Sequence, residues 1–124
     1  MVSTVSIKKS KPKLELESVT RDKIASFFRS SGYVVQREVK NPFGRVDCLV
    51  KEYKPTGEIV HHVVECKREN SSYHLKAAIG QLRMYAQHYG SNTKLYFCTS
   101  DKSKLSEESK RIMAANPDIL YKVF

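Results

Sequence analysis

The chain has 124 residues, which is enough for one domain with one hydrophobic core. It contains no run of about 18 apolar residues, so the sequence predicts no membrane span, and no long apolar stretch near its start suggests a secretory signal. The formal net charge is +9, which fits a polyanionic partner and fits equally a basic domain without any nucleic-acid role.

Two parts of the chain differ in charge. Residues 1–13 contain four lysines and no acid, and we expect them to form a flexible basic arm. Residues 14–124 carry 18 basic against 13 acidic side chains, so the single domain that we expect there is basic by itself.

Three cysteines are spaced too widely for a CxxC pair, which disfavours a zinc site or a disulfide framework. We expect Cys48, Cys66 and Cys98 to pack in the core, and we expect a reducing compartment, the cytoplasm.

The first predicted element is a helix that ends near Ser31, before Gly32, and is capped by Ser18 or Thr20. Its inner face would hold Ile24, Phe27, Phe28 and Ser31. A strand over residues 33–40 and a turn over residues 41–44 follow. The later elements are a strand pair over 45–53 and 58–68, a helix over 74–89 stopped by Gly90, a strand over 94–99, a helix from a Ser103 or Ser106 cap to near Ala115, and an edge strand over 119–124.

The strand pair is joined by Pro55-Thr56-Gly57, a loop typical of a three-residue hairpin. In a hairpin symmetric about Thr56, Lys54 faces Glu58, Asp47 faces Glu65 and Arg45 faces Lys67. Directly opposite residues have Cβ atoms about 4.5–5.5 Å apart, so the two carboxylates would lie side by side with Lys67 on their face. The opposite face would be apolar, formed by Val46, Cys48, Val50, Val60, Val64 and Cys66, with His62 interrupting it near an edge.

Adjacent carboxylates repel each other unless a cation neutralises them. Oxygen ligands of this kind suit Mg²⁺ or Mn²⁺, and such a metal can bind a phosphate and lower the pKa of a water molecule. Lys67 could contact the same water or the developing negative charge. The alternative is a structural charge cluster in which Lys67 is only a salt-bridge partner.

Three motifs in order resemble the PD-(D/E)xK nuclease superfamily. They are Gly44-Arg45-Val46-Asp47, then Val64-Glu65-Cys66-Lys67, then the Q-x-x-x-Y element of RecB-type and type I restriction nuclease domains in residues 81–85. The resemblance covers about residues 18–100 and implies a restriction-endonuclease-like α-β-β-β-α-β core, with a central mixed sheet flanked by helices. The first motif departs from the family label because Arg45-Val46 precede the acid where some members have Pro.

The resemblance also implies roles for residues. Asp47 and Glu65 would bind the metal with help from the backbone carbonyl of Cys66, and Lys67 and Gln81 would be catalytic. Members often add an acid from the first helix, for which Asp22 is the preferred candidate and Glu17 the alternative. The expected contacts to nucleic acid are Arg45, Arg68, Lys76, Arg83 and Tyr85.

The function implied is a divalent-metal-dependent DNA endonuclease that uses Mg²⁺ or Mn²⁺, binds DNA and could act as a homodimer, with no membrane partner and no small-molecule cofactor. Two alternatives stay open. One is a non-catalytic nucleic-acid-binding module. The other is a branched-DNA (Holliday-junction) resolvase-like subunit of a larger system.

Overall fold

The structure is a computed structural model that describes residues 16–124, so the arm expected over residues 1–13 lies outside the described residues. The described elements follow the expected order, α-β-β-β-α-β-α-β. The helices are α1 (Glu17–Ser30), α2 (Ser72–Tyr89) and α3 (Glu107–Ala115). The strands are β1 (Val34–Asn41), β2 (Gly44–Tyr53), β3 (Ile59–Cys66), β4 (Lys94–Thr99) and β5 (Ile119–Val123).

The five strands form one mixed sheet in the order β1-β2-β3-β4-β5. The first three strands are antiparallel, as expected of strands joined by short turns. β3, β4 and β5 run parallel to one another, because α2 and α3 carry the chain back to the same end of the sheet. This arrangement confirms the predicted α/β fold with a central mixed sheet.

A separate apolar cluster packs on each face of the sheet. On one face, Ile24 and Phe28 of α1 cover the sheet residues Cys48, Val50, Val64, Cys66, Tyr96 and Cys98. On the other face, α2 contributes Leu75, Ala78, Leu82 and Tyr85 against Val46, Leu49, Val63, Leu95, Phe97 and Ile119. All three cysteines are buried free thiols, which confirms their predicted place in the core.

One of the predicted helix caps is confirmed, and the others differ in the structure. Ser106 caps α3 as expected, and Ser71 caps α2, which begins two residues earlier than predicted. The prediction for α1 was wrong, because Leu16 is its N-cap residue and no side chain caps it. Thr20 instead lies inside the helix, buried, and its hydroxyl donates to the Ser100 hydroxyl at 3.0 Å. A tertiary contact explains this threonine better than capping does.

Two more predictions about packing were wrong. Phe27 is 41% exposed and Ser31 is exposed, so the inner face of α1 is formed by Thr20, Ile24, Ala25 and Phe28. His62 is not near an edge. It is 3% exposed on the central strand β3, where its ring nitrogens lie 2.8 Å from the Tyr96 hydroxyl and 2.9 Å from Glu52 Oε1. Its two partners explain how an apolar face tolerates a histidine.

The segment that joins β3 to α2 is anchored by a buried polar network. The Asn70 amide group donates to the Ser103 carbonyl at 2.8 Å and to the Tyr121 hydroxyl at 3.2 Å. The Asn70 backbone N–H donates to the Asp101 carboxylate at 3.1 Å. These bonds fix the chain just after Lys67. Within residues 16–124, no helix has the length and hydropathy needed to cross a membrane.

We predict that Asn70→Ala lowers the free energy of unfolding by about 1–3 kcal/mol, because the Ser103 carbonyl and the Tyr121 hydroxyl lose their hydrogen bonds to the buried Asn70 side chain. Urea denaturation measures the change. The matched control is Asn92→Ala, since Asn92 is exposed and its amide donates to the exposed Glu58 carboxylate. Equal losses in both variants would contradict a structural role for the buried network.

Candidate active site

β2 and β3 separate at one end of the sheet. Their pairing follows the predicted register from Tyr53–Ile59 to Cys48–Val64, and the Gly57 turn has the expected positive φ of 91°. Beyond Cys48–Val64 the two strands are no longer paired, although β3 stays paired with β4 as far as Cys66–Cys98. The predicted backbone pairs Asp47–Glu65 and Arg45–Lys67 therefore fall in the gap, which we call the splayed end.

Asp47 lies in this gap and fills part of it with its side chain. Its Oδ2 accepts a hydrogen bond from the Cys66 backbone N–H at 2.8 Å. On the β1 side, Asp47 is opposite Glu38, but the two residues are not paired. Glu38 has a positive φ of 52°, which interrupts the ladder at this point. The pairs on either side of the interruption, Arg37–Cys48 and Val39–Val46, are present. The alternation of side chains breaks here, so Val46 joins the α2 face. The prediction that it shares a face with Cys48 was wrong.

The Asp47 carboxylate is partly enclosed. Burial raises its pKa above the ordinary value, while the Cys66 N–H and the Arg21 guanidinium oppose this shift. Arg21 Nη1 lies 3.7 Å from Asp47 Oδ1. Because Arg21 is on α1, the Asp47 carboxylate faces the α1 side of the sheet. Asp47 and Glu65 therefore come together at the splayed end, and not on one regular face of the hairpin.

Glu65 is more deeply enclosed than Asp47. It is 3% exposed, and its Oε1 is shut away from solvent with no hydrogen-bond partner among residues 16–124. Burial, followed by the nearby charge of Asp47, raises the pKa of Glu65 to about 8. A buried carboxylate oxygen without a partner is costly, so its presence points to a group that is supplied from outside the chain.

Lys67 brings a positive charge to the same place. Its Nζ lies 3.9 Å from Glu65 Oε2, and its side chain is about one-fifth exposed. Its backbone N–H donates to the Cys98 carbonyl at 3.0 Å, so the residue is still held by β4 after β3 has ended. Asp47, Glu65 and Lys67 are thus brought together, although not by the strand pairing that the sequence predicted, and we call them the acidic centre.

Gly44 and Tyr85 show why the first motif begins with glycine. Gly44 has a φ of +140°, and a Cβ there would lie 3.2 Å from the Tyr85 hydroxyl oxygen. That hydroxyl donates to the Arg45 carbonyl at 3.0 Å. Tyr85 is 2% exposed, which does not fit its expected contact with DNA. It fixes the start of β2, two residues before Asp47.

Gln81 lies one turn before Tyr85 on the same face of α2. It is half-buried, and its Oε1 has no hydrogen-bond partner among the described residues. The charges of Glu65 and Asp47 contribute to raising the pKa of Tyr85, after burial, so this face of α2 is directed towards the acidic centre.

The two candidate acids of the first helix are in different surroundings. Glu17 carries one of the charges that raise the pKa of Asp47 and Glu65, and it is 3.6 Å from Arg21. Asp22, the preferred candidate, is exposed and paired with Arg37, and it is not among the charges acting on either acid. The geometry therefore favours Glu17. Arg21 faces the acidic centre, and the next residue of an α-helix is turned by about 100° around the axis, so Asp22 faces a different direction.

The expected DNA contacts are dispersed. Arg45 is exposed and pairs with Glu38 at 3.1 Å, and Lys76 is exposed and pairs with Glu108 at 3.0 Å. Arg83 donates hydrogen bonds to Asp118 and Asn116, in the turn between α3 and β5. These bonds hold Arg83 against the protein itself, which does not fit its expected contact with DNA. Arg21 is beside the acidic centre although the sequence did not predict it there. Its spacing from Glu17 puts the two residues on one face of α1, but the spacing does not show that this face meets the splayed end.

The fold and the centre define a class of protein: an α/β domain with two acids and a lysine at the splayed end of a hairpin. The model of the PD-(D/E)XK nuclease superfamily matches residues 15–99. The chain belongs to this superfamily. Among curated proteins, none matches the chain at a significant level.

Solved structures show the same fold. A repair endonuclease from Pyrococcus abyssi is 17% identical with a TM-score of 0.60, and the match covers 92% of this chain and 49% of that one. The complex of EndoMS with double-stranded DNA is 18% identical with a TM-score of 0.58, covering 90% of this chain and 47% of that one. The chain thus spans about half the length of these structures.

Members of this superfamily generally use a divalent metal, and the residues present fit one. The enclosed Glu65 Oε1 lacks a partner, and Asp47 supplies a second carboxylate beside it. No group of three or more His, Cys, Asp or Glu side chains within residues 16–124 is arranged to hold a metal. Two protein carboxylates with water and substrate oxygens completing the shell is the pattern that Mg²⁺ adopts.

We predict that the metal-free protein loses stability as the pH rises from about 4.5 to about 8. In this range the folded state binds more protons than the unfolded chain, because the folded pKa of Glu65, about 8, lies above the ordinary value of 4.5. The expected loss is of the order of a few kcal/mol, measured by urea denaturation in EDTA. Asp47 adds to the same slope, since its pKa is also raised.

Glu65→Gln should remove most of this slope, whereas the exposed neighbour Glu69→Gln should keep it. An equal pH dependence in wild type and Glu65→Gln would contradict the assignment of the raised pKa to Glu65.

Proposed function

We propose that this chain is a divalent-metal-dependent DNA endonuclease, or the nuclease domain of one, that hydrolyses phosphodiester bonds. The observation that carries the proposal is the enclosed, unpartnered Glu65 Oε1 beside Asp47, with Lys67 Nζ 3.9 Å from the same carboxylate. A structural charge cluster would pair both Glu65 oxygens internally, so the arrangement fits a centre that receives a cation better than one that is complete.

Each residue of the centre has a proposed role. Asp47, Glu65 and the backbone carbonyl of Cys66 would hold Mg²⁺ or Mn²⁺. When bound, such an ion supplies Lewis acidity at a phosphate oxygen and lowers the pKa of a water molecule. The Lys67 ammonium group would orient the attacking water and stabilise the charge that develops on the phosphate. Gln81, with its free amide oxygen, would hold this water from α2.

DNA is the proposed substrate. The net charge of +9 supports a polyanion, and the similar EndoMS structure is a complex with double-stranded DNA. Arg45 and Lys76 are exposed basic residues that would neutralise backbone phosphates, and Arg68 is a further candidate. Three buried free thiols fit a reducing, cytoplasmic setting.

We predict that wild type cuts DNA in Mg²⁺ or Mn²⁺ and not in EDTA, and that Lys67→Ala and Asp47→Asn each lower the rate at least about 100-fold. Supercoiled, linear, single-stranded and branched DNA should be assayed in parallel. The matched control is Lys94→Ala, an exposed lysine at the far end of β4, which should cut like wild type.

Cleavage that survives both substitutions would exclude the proposed centre. Binding without cleavage of any substrate would favour a non-catalytic module, and cleavage of branched DNA alone would favour a resolvase-like subunit. The same assay separates the first-helix acids, because Glu17→Gln should lower the rate and Asp22→Asn should not.

A homodimer is proposed because one centre cuts one strand, and cutting both strands in a single encounter requires two centres. We predict a mass of twice the 14.2 kDa of one chain by size-exclusion chromatography with light scattering. A monomeric mass both with and without DNA would contradict the dimer and leave a one-strand nuclease.

A further inference from the structure

Arg21 reaches the acidic centre from α1. It lies one helical turn after Glu17, and its Nη1 is 3.6 Å from Glu17 Oε1 and 3.7 Å from Asp47 Oδ1. The Arg21 side chain is 23% exposed, so it borders the centre while part of the side chain still meets solvent.

The N–H groups of Arg21 are largely without hydrogen-bond partners among residues 16–124. Both contacts to acids exceed the 2.7–3.2 Å of an N–H···O hydrogen bond, so they act as charge attraction and not as bonded forks. The Arg21 Nε is enclosed and has no hydrogen-bond partner among residues 16–124. The planar Arg21 guanidinium group, which has five N–H donors, therefore lies beside the centre with donors available for a ligand.

Two positively charged side chains compensate the charges of the two carboxylates at the centre. Lys67 lies beside Glu65, and Arg21 lies beside Asp47. A divalent cation on the same carboxylates would take over this compensation. The guanidinium group would then be repelled by the cation and would need another anion within its reach.

We propose that Arg21 is a phosphate-binding residue of the centre and, in the metal-free protein, the competing counter-ion of Asp47. The inference rests on the proposed function, because the anion that it binds is a non-bridging oxygen of the phosphodiester held by the metal. Arginine suits both roles, since it is always charged and its fork matches two phosphate oxygens.

The test combines metal binding with cleavage. Mn²⁺ alone is titrated calorimetrically into wild type, Arg21→Ala and Arg21→Lys, and single-turnover cleavage of the best DNA substrate is measured in Mg²⁺. Arg21→Ala should bind Mn²⁺ about fivefold more tightly, because a competing positive charge is gone. It should nevertheless cut roughly 100-fold more slowly at saturating metal.

Arg21→Lys keeps the charge but not the fork. It should bind Mn²⁺ like wild type and still cut about tenfold more slowly than wild type. The matched control is Arg29→Ala, which removes an exposed charge two turns further along α1 and should change neither quantity. Circular dichroism verifies that Arg21→Lys is folded like wild type, so that differences in binding and cleavage report on the centre.

The outcomes separate this inference from the proposed function. A cleavage rate of Arg21→Ala within twofold of wild type overturns the phosphate role, and Mn²⁺ binding that is unchanged or weaker overturns the competition for Asp47. If wild type cuts no substrate, the proposed function fails, while the Mn²⁺ titrations still decide whether Arg21 competes with a metal at Asp47.

Discussion

The hydrogen bond from the Cys66 backbone N–H to the Asp47 carboxylate is the interaction on which the site depends. When two paired strands separate, each leaves main-chain groups that need new partners. Here a side chain takes the place of a main-chain carbonyl, so β3 can leave β2 while it continues beside β4. The separation creates the space that Glu65 and Lys67 occupy, and it turns Asp47 towards α1. The hairpin is thus opened at one end without an unpaired Cys66 amide.

This opening has an energetic cost. Two carboxylates are enclosed close together, and burial raises the pKa of both of them. Arg21 beside Asp47 and Lys67 beside Glu65 offset part of the repulsion. Glu65 nevertheless keeps one oxygen without a partner among residues 16–124. Proteins accept such local instability mainly at functional sites, where a ligand supplies the missing interaction. The Asn70 network and the two apolar clusters provide the rigid surroundings that hold the strained end in place.

Much of this could be predicted from the sequence, for local reasons. The Gly57 loop fixes the hairpin register, and helical and strand periodicities gave the element order. The errors arose where tertiary contacts override local pattern. Side-chain alternation is interrupted at Asp47 and Glu38, so Val46 lies on the face opposite to the one predicted. Thr20 makes a buried contact with Ser100 inside α1 and does not cap the helix as predicted. Arg21 could not be assigned, because nothing in the spacing of α1 shows which of its turns meets the splayed end.

We propose that Asp47 and Glu65 together hold a divalent cation. Anomalous X-ray diffraction from crystals grown with Mn²⁺ tests it most directly, because the signal locates the metal without any assumption about activity. We expect one anomalous peak between the two carboxylates, about 2.0–2.2 Å from an oxygen of each, as is usual for small divalent ions. A peak elsewhere, or none at a saturating Mn²⁺ concentration, would contradict it.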